Sequence, residues 1–422
     1  MTTVAESRAT LIRSELRRFA TFMLHELKPK GKVLTPFNVI SGAIMALAAV
    51  LLFIRFTQGI GAITNLNQEY PWGFWIGFDV VTGVAFAGGA YVVTFMVYIL
   101  GQEKYHPIVR VTVLNGFLAY AFYAGALLLD LGRPWNVINP IIGNSFGVSS
   151  VLFLVAWHFM LYMIAQFVEF SPAVAEWLGW RRVRRIVGGL TVGAVIFGIT
   201  LSLLHQSGLG ALYLMAKDKV HPLWYSEFIP ILFIVSSIFA GLSMVIFEGT
   251  LTHKIFHDRV GRALHASHDG IVVSLGRICG ATMFVYLFLQ LIVFVHGHRL
   301  PYLTTGYGAW YLFEMLGLVA IPAVLFILGN RHANLRLIRT AAVLTLVGII
   351  VNRLNVSIIG FRWDAAVRYI PSWMEIEVTL AVIAAEIWVF RWVINRMPVL
   401  GSTVEVVRAE HRHEPQPKAL IA

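Results

Sequence analysis

The sequence contains one cysteine and few charged residues, and each shortage excludes a class of protein. Charged residues make up 13% of the chain, against about 25% in soluble domains, so a soluble enzyme is excluded. Cys279 alone forms no intramolecular disulfide and does not supply the roughly four ligands that an iron–sulfur cluster needs. If this chain takes part in electron transfer, any iron–sulfur cluster must belong to a partner protein.

Apolar residues and glycine are abundant instead. Of the 422 residues, 58% are hydrophobic, 13% are aromatic and 36 are glycine. This composition is typical of a polytopic helical membrane protein, in which glycine lets helices approach closely and Trp and Tyr collect at the membrane interfaces. The net charge of +11 then indicates basic cytoplasmic loops and no nucleic-acid partner.

A spanning helix needs about 20 apolar residues, and the sequence predicts about ten such helices. They are residues 37–57, 73–100, 108–129, 147–168, 186–206, 224–249, 271–296, 308–328, 338–358 and 372–394. An even number puts both termini on one side, and Lys and Arg are concentrated in the tails and loops of that side. The positive-inside rule therefore predicts cytoplasmic termini in a multi-pass protein of the bacterial inner membrane.

Three regions follow from this layout. Residues 1–36 are predicted to be a cytoplasmic amphipathic segment, in which Ile12, Leu16, Phe19, Met23 and Leu27 recur at helical spacing. Residues 37–396 form the ten-helix domain, and residues 397–422 are predicted to be a disordered cytoplasmic tail. The outer loops are rich in Trp and Pro, which suits either an interfacial aromatic belt or a docking surface for an extracytoplasmic partner.

Polar side chains inside spans are costly in lipid and are candidates for function. Asp79, Asp130, Arg133, His205 and Gln206 are predicted near the outer ends of their helices. Asp130 and Arg133 are three residues apart, so a capping salt bridge is an alternative, and His205 could be a buried interface residue. A carboxylate and a histidine at equal depth would supply the proton donors that a quinone pocket needs.

A second set lies deeper or nearer the cytoplasm: Glu248, Arg277, Glu314 and Glu386. These residues suit either a proton half-channel or buried salt bridges between helices. Haem b is disfavoured, because the histidines within spans are not placed as facing pairs. His253, His257, His265 and His268 lie in a basic stretch and are interpreted as solvated side chains, with a metal site as the alternative.

Three short motifs, taken in order, resemble the NrfD-type family of polysulfide reductase membrane subunits. They are residues 71–73 (PWG), 127–135 (LLLDLGRPW) and 204–210 (LHQSGLG). The length and the His-Gln-Ser loop are most similar to the membrane subunit of Hyb-type [NiFe] hydrogenases, often labelled a b-type cytochrome.

The resemblance implies two adjacent four-helix bundles with flanking first and last helices, and a quinone held near the outer surface under an iron–sulfur partner subunit. Carried over by position, the quinone-facing residues are Trp72, Asp79, His205 and Gln206, with Asp130 and Arg133 nearby.

The sequence thus predicts a quinone-reacting membrane subunit of a hydrogenase. It would pass electrons from a periplasmic ferredoxin-like subunit and the hydrogenase small and large subunits to menaquinone or ubiquinone, with His205 and Asp79 as catalytic proton carriers. Two rivals are the same subunit in a molybdenum oxidoreductase or alternative complex III, and a stand-alone ion transporter.

Overall fold

The computed structural model describes residues 17, 19–139, 147 and 149–400, and each of the ten predicted spans overlaps a helix in it. The helices are α1 (Pro36–Gln58), α2 (Trp75–Ile99), α3 (Glu103–Asp130), α4 (Val151–Trp177), α5 (Arg181–Leu214), α6 (Ile229–Ile255), α7 (Arg262–His296), α8 (Gly306–Arg331), α9 (Leu335–Ile359) and α10 (Trp373–Ile394). Within the described ranges the extended structure is limited to an isolated bridge between Val220 and Phe361.

The chain is an all-α polytopic membrane protein. Among the described residues, α1 to α9 are long and apolar enough to span a membrane. The last helix, α10, has 22 residues, and its three glutamates and one arginine are spread along its length. It packs along α1 and against α3, and this contact places it within the helical domain.

Helix contacts divide the domain into two bundles. Helices α2, α3, α4 and α5 pack in a closed ring, and α6, α7, α8 and α9 form a second ring. The rings meet where α6 contacts α2 and α5, while α1 and α10 pair beside the first ring. This arrangement agrees with the two four-helix bundles and flanking helices that the sequence predicts.

The contact between bundles depends on glycine. A Cβ atom on Gly89 of α2 would lie 2.6 Å from the carbonyl oxygen of Gly241 on α6, so the two backbones approach too closely for a side chain. Small residues permit such close helix crossings in membranes. As a result α2 is almost wholly buried, whereas α1, α4 and α5 expose most of their surface.

Four stretches of these helices are π-helical: Trp75–Gly83 and Phe95–Ile99 in α2, Phe313–Ala320 in α8 and Asn355–Ile359 in α9. Widened turns of this kind are rare in proteins overall, and many of those that do occur lie at functional sites. Three of the four carry a buried polar side chain, namely Asp79, Glu314 and Asn355.

Both ends of the described chain meet at one end of the domain, which is called the inner end here; the opposite end is the outer end. Residues 19–27 are mostly helical, and Phe22 contacts Trp177 with ring centroids 5.3 Å apart. Ile12 and Leu16 of the predicted amphipathic helix lie outside the described residues, as do residues 401–422 of the predicted tail. Val399 and Leu400, which the sequence analysis assigns to the tail, are buried.

Candidate functional site

Asp79 is fully buried between α2 and α10. Its side chain has no exposed surface and projects from the π-helical turn Trp75–Gly83 of α2. The Oδ2 atom accepts a hydrogen bond of 3.0 Å from the Thr379 hydroxyl of α10, while Oδ1 is buried without a partner among the described residues. A buried acceptor that lacks a donor costs free energy, so Asp79 retains an unused binding capacity.

Asp130 ends α3 near the same contact between α2 and α10. Its Oδ1 atom is also buried and has no partner within the described part of the chain. Arg55 of α1 is the neighbouring cation, but its guanidinium donates to the carbonyl oxygens of Leu129 (2.8 Å) and Leu131. Arg55 therefore caps the C-terminal end of α3, and Asp130 makes no salt bridge with Arg133, whose side chain is exposed.

His205 and Gln206 lie inside the first bundle. The Nδ1 atom of His205 is 3.1 Å from the Tyr120 hydroxyl of α3, and the imidazole ring also packs against Phe159 of α4. Gln206 donates from Nε2 to the Val84 carbonyl of α2 at 2.9 Å. Its Oε1 atom is buried and, like Asp79 Oδ1, has no hydrogen-bond donor in the described residues.

Four of the six predicted outer-end residues thus form two groups on α2 and its neighbours. Asp79 and Asp130 face α10 and α1, whereas His205 and Gln206 face α3, α4 and the backbone of α2. Trp72 is half-buried just before α2 begins and packs against the main core, and Arg133 is exposed in the loop after α3. The side chain of Gln206 reaches Val84, five residues beyond Asp79, so the two groups are separated by about one and a half helical turns.

The inner half of the domain contains a cavity of about 620 Å³ between α2, α3, α6 and α10. Glu248 and Glu386, both predicted for a proton route, line it together with Asn115 and Tyr123. Asn115 donates to Glu248, and Tyr123 is a hydrogen-bonding neighbour of Glu386. The walls are otherwise mainly apolar, so the two carboxyl groups are the acidic groups of this space.

A smaller cavity of about 30 Å³ continues from this space toward the inner end. Asn115 and Thr252 line both cavities, and His253 and His268 line the smaller one. The His253 ring stacks on His268 and His265 with centroids 4.4 Å and 4.8 Å apart. His268 is buried, so the sequence interpretation of this histidine as a solvated side chain is wrong.

The other two residues of the predicted proton route lie elsewhere. Glu314 of α8 is buried in the second bundle and accepts hydrogen bonds from Trp224 (2.7 Å), Asn352 (2.6 Å) and Asn355 (2.6 Å). Arg277 is exposed on α7, in a groove beside the start of α3. The structure therefore brings together Glu248 and Glu386 and separates both from Glu314 and Arg277.

An outer loop before α6 folds inward over the second bundle. His221 is buried among the rings of Trp224, Tyr307 and Trp363, whose centroids are 4.6 to 5.5 Å from its own. Burial, together with the positive charges of Arg368 and Arg299, lowers the pKa of His221 to about 4. Trp224 is thus an internal residue rather than part of an exposed aromatic surface, whereas Trp135, at the end of the motif at residues 127–135, is exposed.

Several residues of these sites were missed by the sequence analysis. Arg55 was the one basic residue within the first predicted span, and this isolation was a usable signal. Tyr120 and Tyr123 were in-span tyrosines whose hydroxyl groups need partners in lipid. Thr379 gave no signal, because a single threonine within an apolar helix commonly bonds its own backbone.

Comparison with known proteins identifies the family. The family model for polysulphide reductase, NrfD, matches residues 62–362, which include eight of the ten helices in full. The chain belongs to the polysulphide reductase NrfD family. This membership confirms the resemblance that the three sequence motifs carry.

Three relatives align with this chain over most of their own length. A protein of Nitratidesulfovibrio vulgaris strain Hildenborough is 45% identical over 87% of this chain and 95% of its own. The probable Ni/Fe-hydrogenase 2 b-type cytochrome subunit of Escherichia coli K12 is 29% identical over 93% of this chain and 99% of its own. The menaquinone reductase integral membrane subunit of N. vulgaris Hildenborough is 24% identical, with coverages of 83% and 88%.

Proposed function

We propose that this chain is the quinone-reacting membrane subunit of a respiratory [NiFe] hydrogenase in the bacterial inner membrane, with both termini in the cytoplasm. The full-length similarity to a hydrogenase 2 subunit supports the complex, and the similarity to a menaquinone reductase subunit supports the substrate. The observation that carries the proposal is the set of buried acceptor atoms without donors on Asp79, Asp130 and Gln206.

These acceptor atoms fit the chemistry of a reduced quinone. A quinol has two hydroxyl donors, and burying them requires acceptor oxygens that the protein has not already used. Asp79 Oδ1 and Gln206 Oε1 are such oxygens on the outer half of the first bundle, and Trp72 supplies an apolar wall at its edge. A bound quinone or quinol would carry two electrons and two protons; Asp79 and His205 would exchange those protons with it.

The positions of His205 and Tyr120 suit a proton relay. The imidazole Nδ1 and the phenol oxygen are 3.1 Å apart in a site from which the packed rings exclude water. A hydrogen-bonded histidine retains a second ring nitrogen for a proton. Arg133 lies exposed at the outer surface, where it is available to a partner subunit or to the approaching quinone.

Electrons would come from partner proteins. The single cysteine of the chain is buried and does not hold a cluster, so a periplasmic ferredoxin-like subunit would deliver electrons from the hydrogenase small and large subunits. The chain would also anchor these subunits to the membrane.

A proton route from the inner end is a second part of the proposal. Glu248 and Glu386 share the large cavity, and Asn115 and Thr252 join it to the histidine cluster of His253 and His268. If protons reach the quinone this way, turnover generates a membrane potential across sealed vesicles.

The test is to purify the tagged chain from its native host and measure hydrogen-dependent quinone reduction by the complex. Asp79→Asn and His205→Ala are expected to lower quinone reduction at least about a hundredfold, because each removes a proton-exchanging group. Hydrogen oxidation with an artificial dye that takes electrons directly from the partner subunits should be unchanged. The control is Asp218→Asn, an acidic residue exposed in an outer loop.

Wild-type quinone reduction in both site variants would end the site assignment. Purification with a molybdopterin subunit or a multihaem cytochrome would keep a quinone subunit but replace the hydrogenase. Purification of the chain without any redox partner would instead favour an ion transporter.

A further inference from the structure

Helix α7 is longer than a bilayer is thick. Its 35 residues extend for about 52 Å, whereas the hydrocarbon core of a membrane is about 30 Å thick. A third or more of α7 therefore projects beyond the hydrocarbon. The position at which α7 leaves the lipid decides the environment of its charged residues.

Two neighbouring turns mark that position. Lys104 and Tyr105, in the first turn of α3 directly after the turn between α2 and α3, bond the Ser274 hydroxyl at 2.8 Å and 2.7 Å. On another side of α7, a Cβ atom on Gly276 would lie 2.8 Å from Ile338 and 3.4 Å from Asn330, which flank the turn between α8 and α9.

Turns between spanning helices occur at the membrane surface because their polar backbone groups need water. Residues 274–277 of α7 therefore lie at the inner boundary of the hydrocarbon. The 20 residues from 277 to 296 have a length of about 30 Å as a helix, which matches the hydrocarbon core. Both measures put Arg277 at the level of the lipid headgroups.

A groove of about 480 Å³ opens beside these residues, and Lys104, Arg277, Ser274 and Glu103 line it. Arg277 is exposed and makes no hydrogen bond or ion pair with any described residue. Lys104 is also exposed; its ammonium group bonds Ser274 and lies 4.8 Å from the Tyr105 ring. Two cations and one carboxylate give the groove a net positive charge.

We propose that this groove binds the phosphate group of an anionic phospholipid. A guanidinium binds a phosphate through two parallel N–H donors, and an ammonium adds a point charge. Basic pockets between spanning helices on the cytoplasmic side of a membrane suit anionic headgroups, and the proposed function puts the inner end on that side. At this level the guanidinium of Arg277 lies at the depth of the lipid phosphates, so it can bind one without entering the hydrocarbon. The lipid would also hold the start of α3 against α7.

The site prefers a headgroup without a positive charge of its own. Arg277 and Lys104 would repel the quaternary ammonium group of phosphatidylcholine, whereas phosphatidylglycerol carries a single negative charge and hydroxyl groups. Glu103 weakens this preference, because its carboxylate attracts the positive charge of the ammonium group. Its removal should therefore increase selectivity for phosphatidylglycerol. The proposal does not depend on the redox reaction.

The experiment measures lipid binding by the purified complex, using native mass spectrometry and thermal unfolding with added phosphatidylglycerol or phosphatidylcholine. The wild-type complex is expected to bind phosphatidylglycerol at least about tenfold more tightly than phosphatidylcholine. Its unfolding temperature should be several degrees higher with phosphatidylglycerol than with phosphatidylcholine. Lys104→Gln combined with Arg277→Gln should remove both differences. Arg182→Gln, at an exposed inner-end arginine of α5 outside the groove, should retain them.

Further variants keep the test decisive if the double variant fails to accumulate. Arg277→Lys should retain a reduced preference for phosphatidylglycerol, and Glu103→Gln should increase it. Equal losses in Arg182→Gln and in the groove variants would show general charge attraction and overturn the proposal. Equal stabilisation by millimolar inorganic phosphate would also overturn it, because the ligand would then be a free ion.

Discussion

The two bundles each hold a carboxyl group on a π-helical turn, but the two groups differ in their hydrogen bonds. Asp79 in the first bundle and Glu314 in the second are both fully buried carboxyl groups on π-helical turns. Glu314 accepts hydrogen bonds from three side chains on both of its oxygens. Asp79 accepts one, from Thr379, and its second oxygen has no donor in the described chain. A widened turn can therefore either lock helices together or leave an acceptor available for a ligand.

The arginines near the two carboxyl groups, Arg353 and Arg55, also differ in their hydrogen-bond partners. Arg353 donates to the Asn352 side chain at 2.9 Å and lies 3.6 Å from the centre of the Phe233 ring, so a positive charge is linked to Glu314 through Asn352. Arg55, beside Asp130 and the Asp79 site, is occupied by the carbonyl groups at the end of α3. Glu314 is thus satisfied by the side chains around it, although the Nε atom of Arg353 has no partner among the described residues, while Asp79 in the first bundle is incomplete without a ligand or a proton.

Replacing Glu314 and Asp79 in turn by leucine should give the largest difference in thermal stability between the two bundles. Glu314→Leu leaves Trp224, Asn352 and Asn355 without their acceptor, at about 1 kcal/mol or more each. The purified complex should unfold several degrees lower or fail to accumulate. Asp79→Leu leaves only the Thr379 hydroxyl, which can bond its own helix backbone, so the melting temperature should fall by a smaller amount.

Glu314→Gln is the control, because it retains one acceptor oxygen and should recover part of the lost stability. A melting temperature that falls as far for Asp79→Leu as for Glu314→Leu would remove the distinction between a satisfied and an unsatisfied site.

Glu248 offers a third environment, since it lines an open cavity and has one side-chain partner, Asn115. If it carries protons, Glu248→Gln should lower the membrane potential formed per electron at least about twofold in sealed vesicles. Quinone reduction in uncoupled membranes should change less than that. Asp258→Asn, at an exposed inner-end loop, is the control. No membrane potential during wild-type turnover would exclude the route.

The sequence predicted the helices well because each span must satisfy its backbone internally across a fixed thickness of lipid. It also selected Asp79, His205 and Gln206, whose polarity within apolar runs is visible one residue at a time. It did not predict the π-helical turns, which depend on packing, or the role of Arg55 at the end of another helix. The separation of Asp79 from His205, and of Arg277 from Glu248, depends on helix rotation, which one sequence does not determine.

The smallest predicted effect concerns His221, which belongs to the loop that supplies Trp224 to Glu314. Burial and the nearby Arg368 and Arg299 lower its pKa to about 4, whereas an unfolded histidine has a pKa of about 6.5. The folded chain therefore keeps His221 neutral, and this contribution to stability is complete above about pH 6.5. It declines by at most about 1.4 kcal/mol per pH unit as the pH falls toward 4, because the unfolded state then binds the proton first.

The melting temperature of the purified complex between pH 7.5 and 4.5 measures this decline. His221→Gln should reduce the decline, and His298→Gln, at an exposed outer histidine, should not. If His221→Gln and the wild type lose stability equally over this range, protonation of His221 does not destabilise the loop over the second bundle.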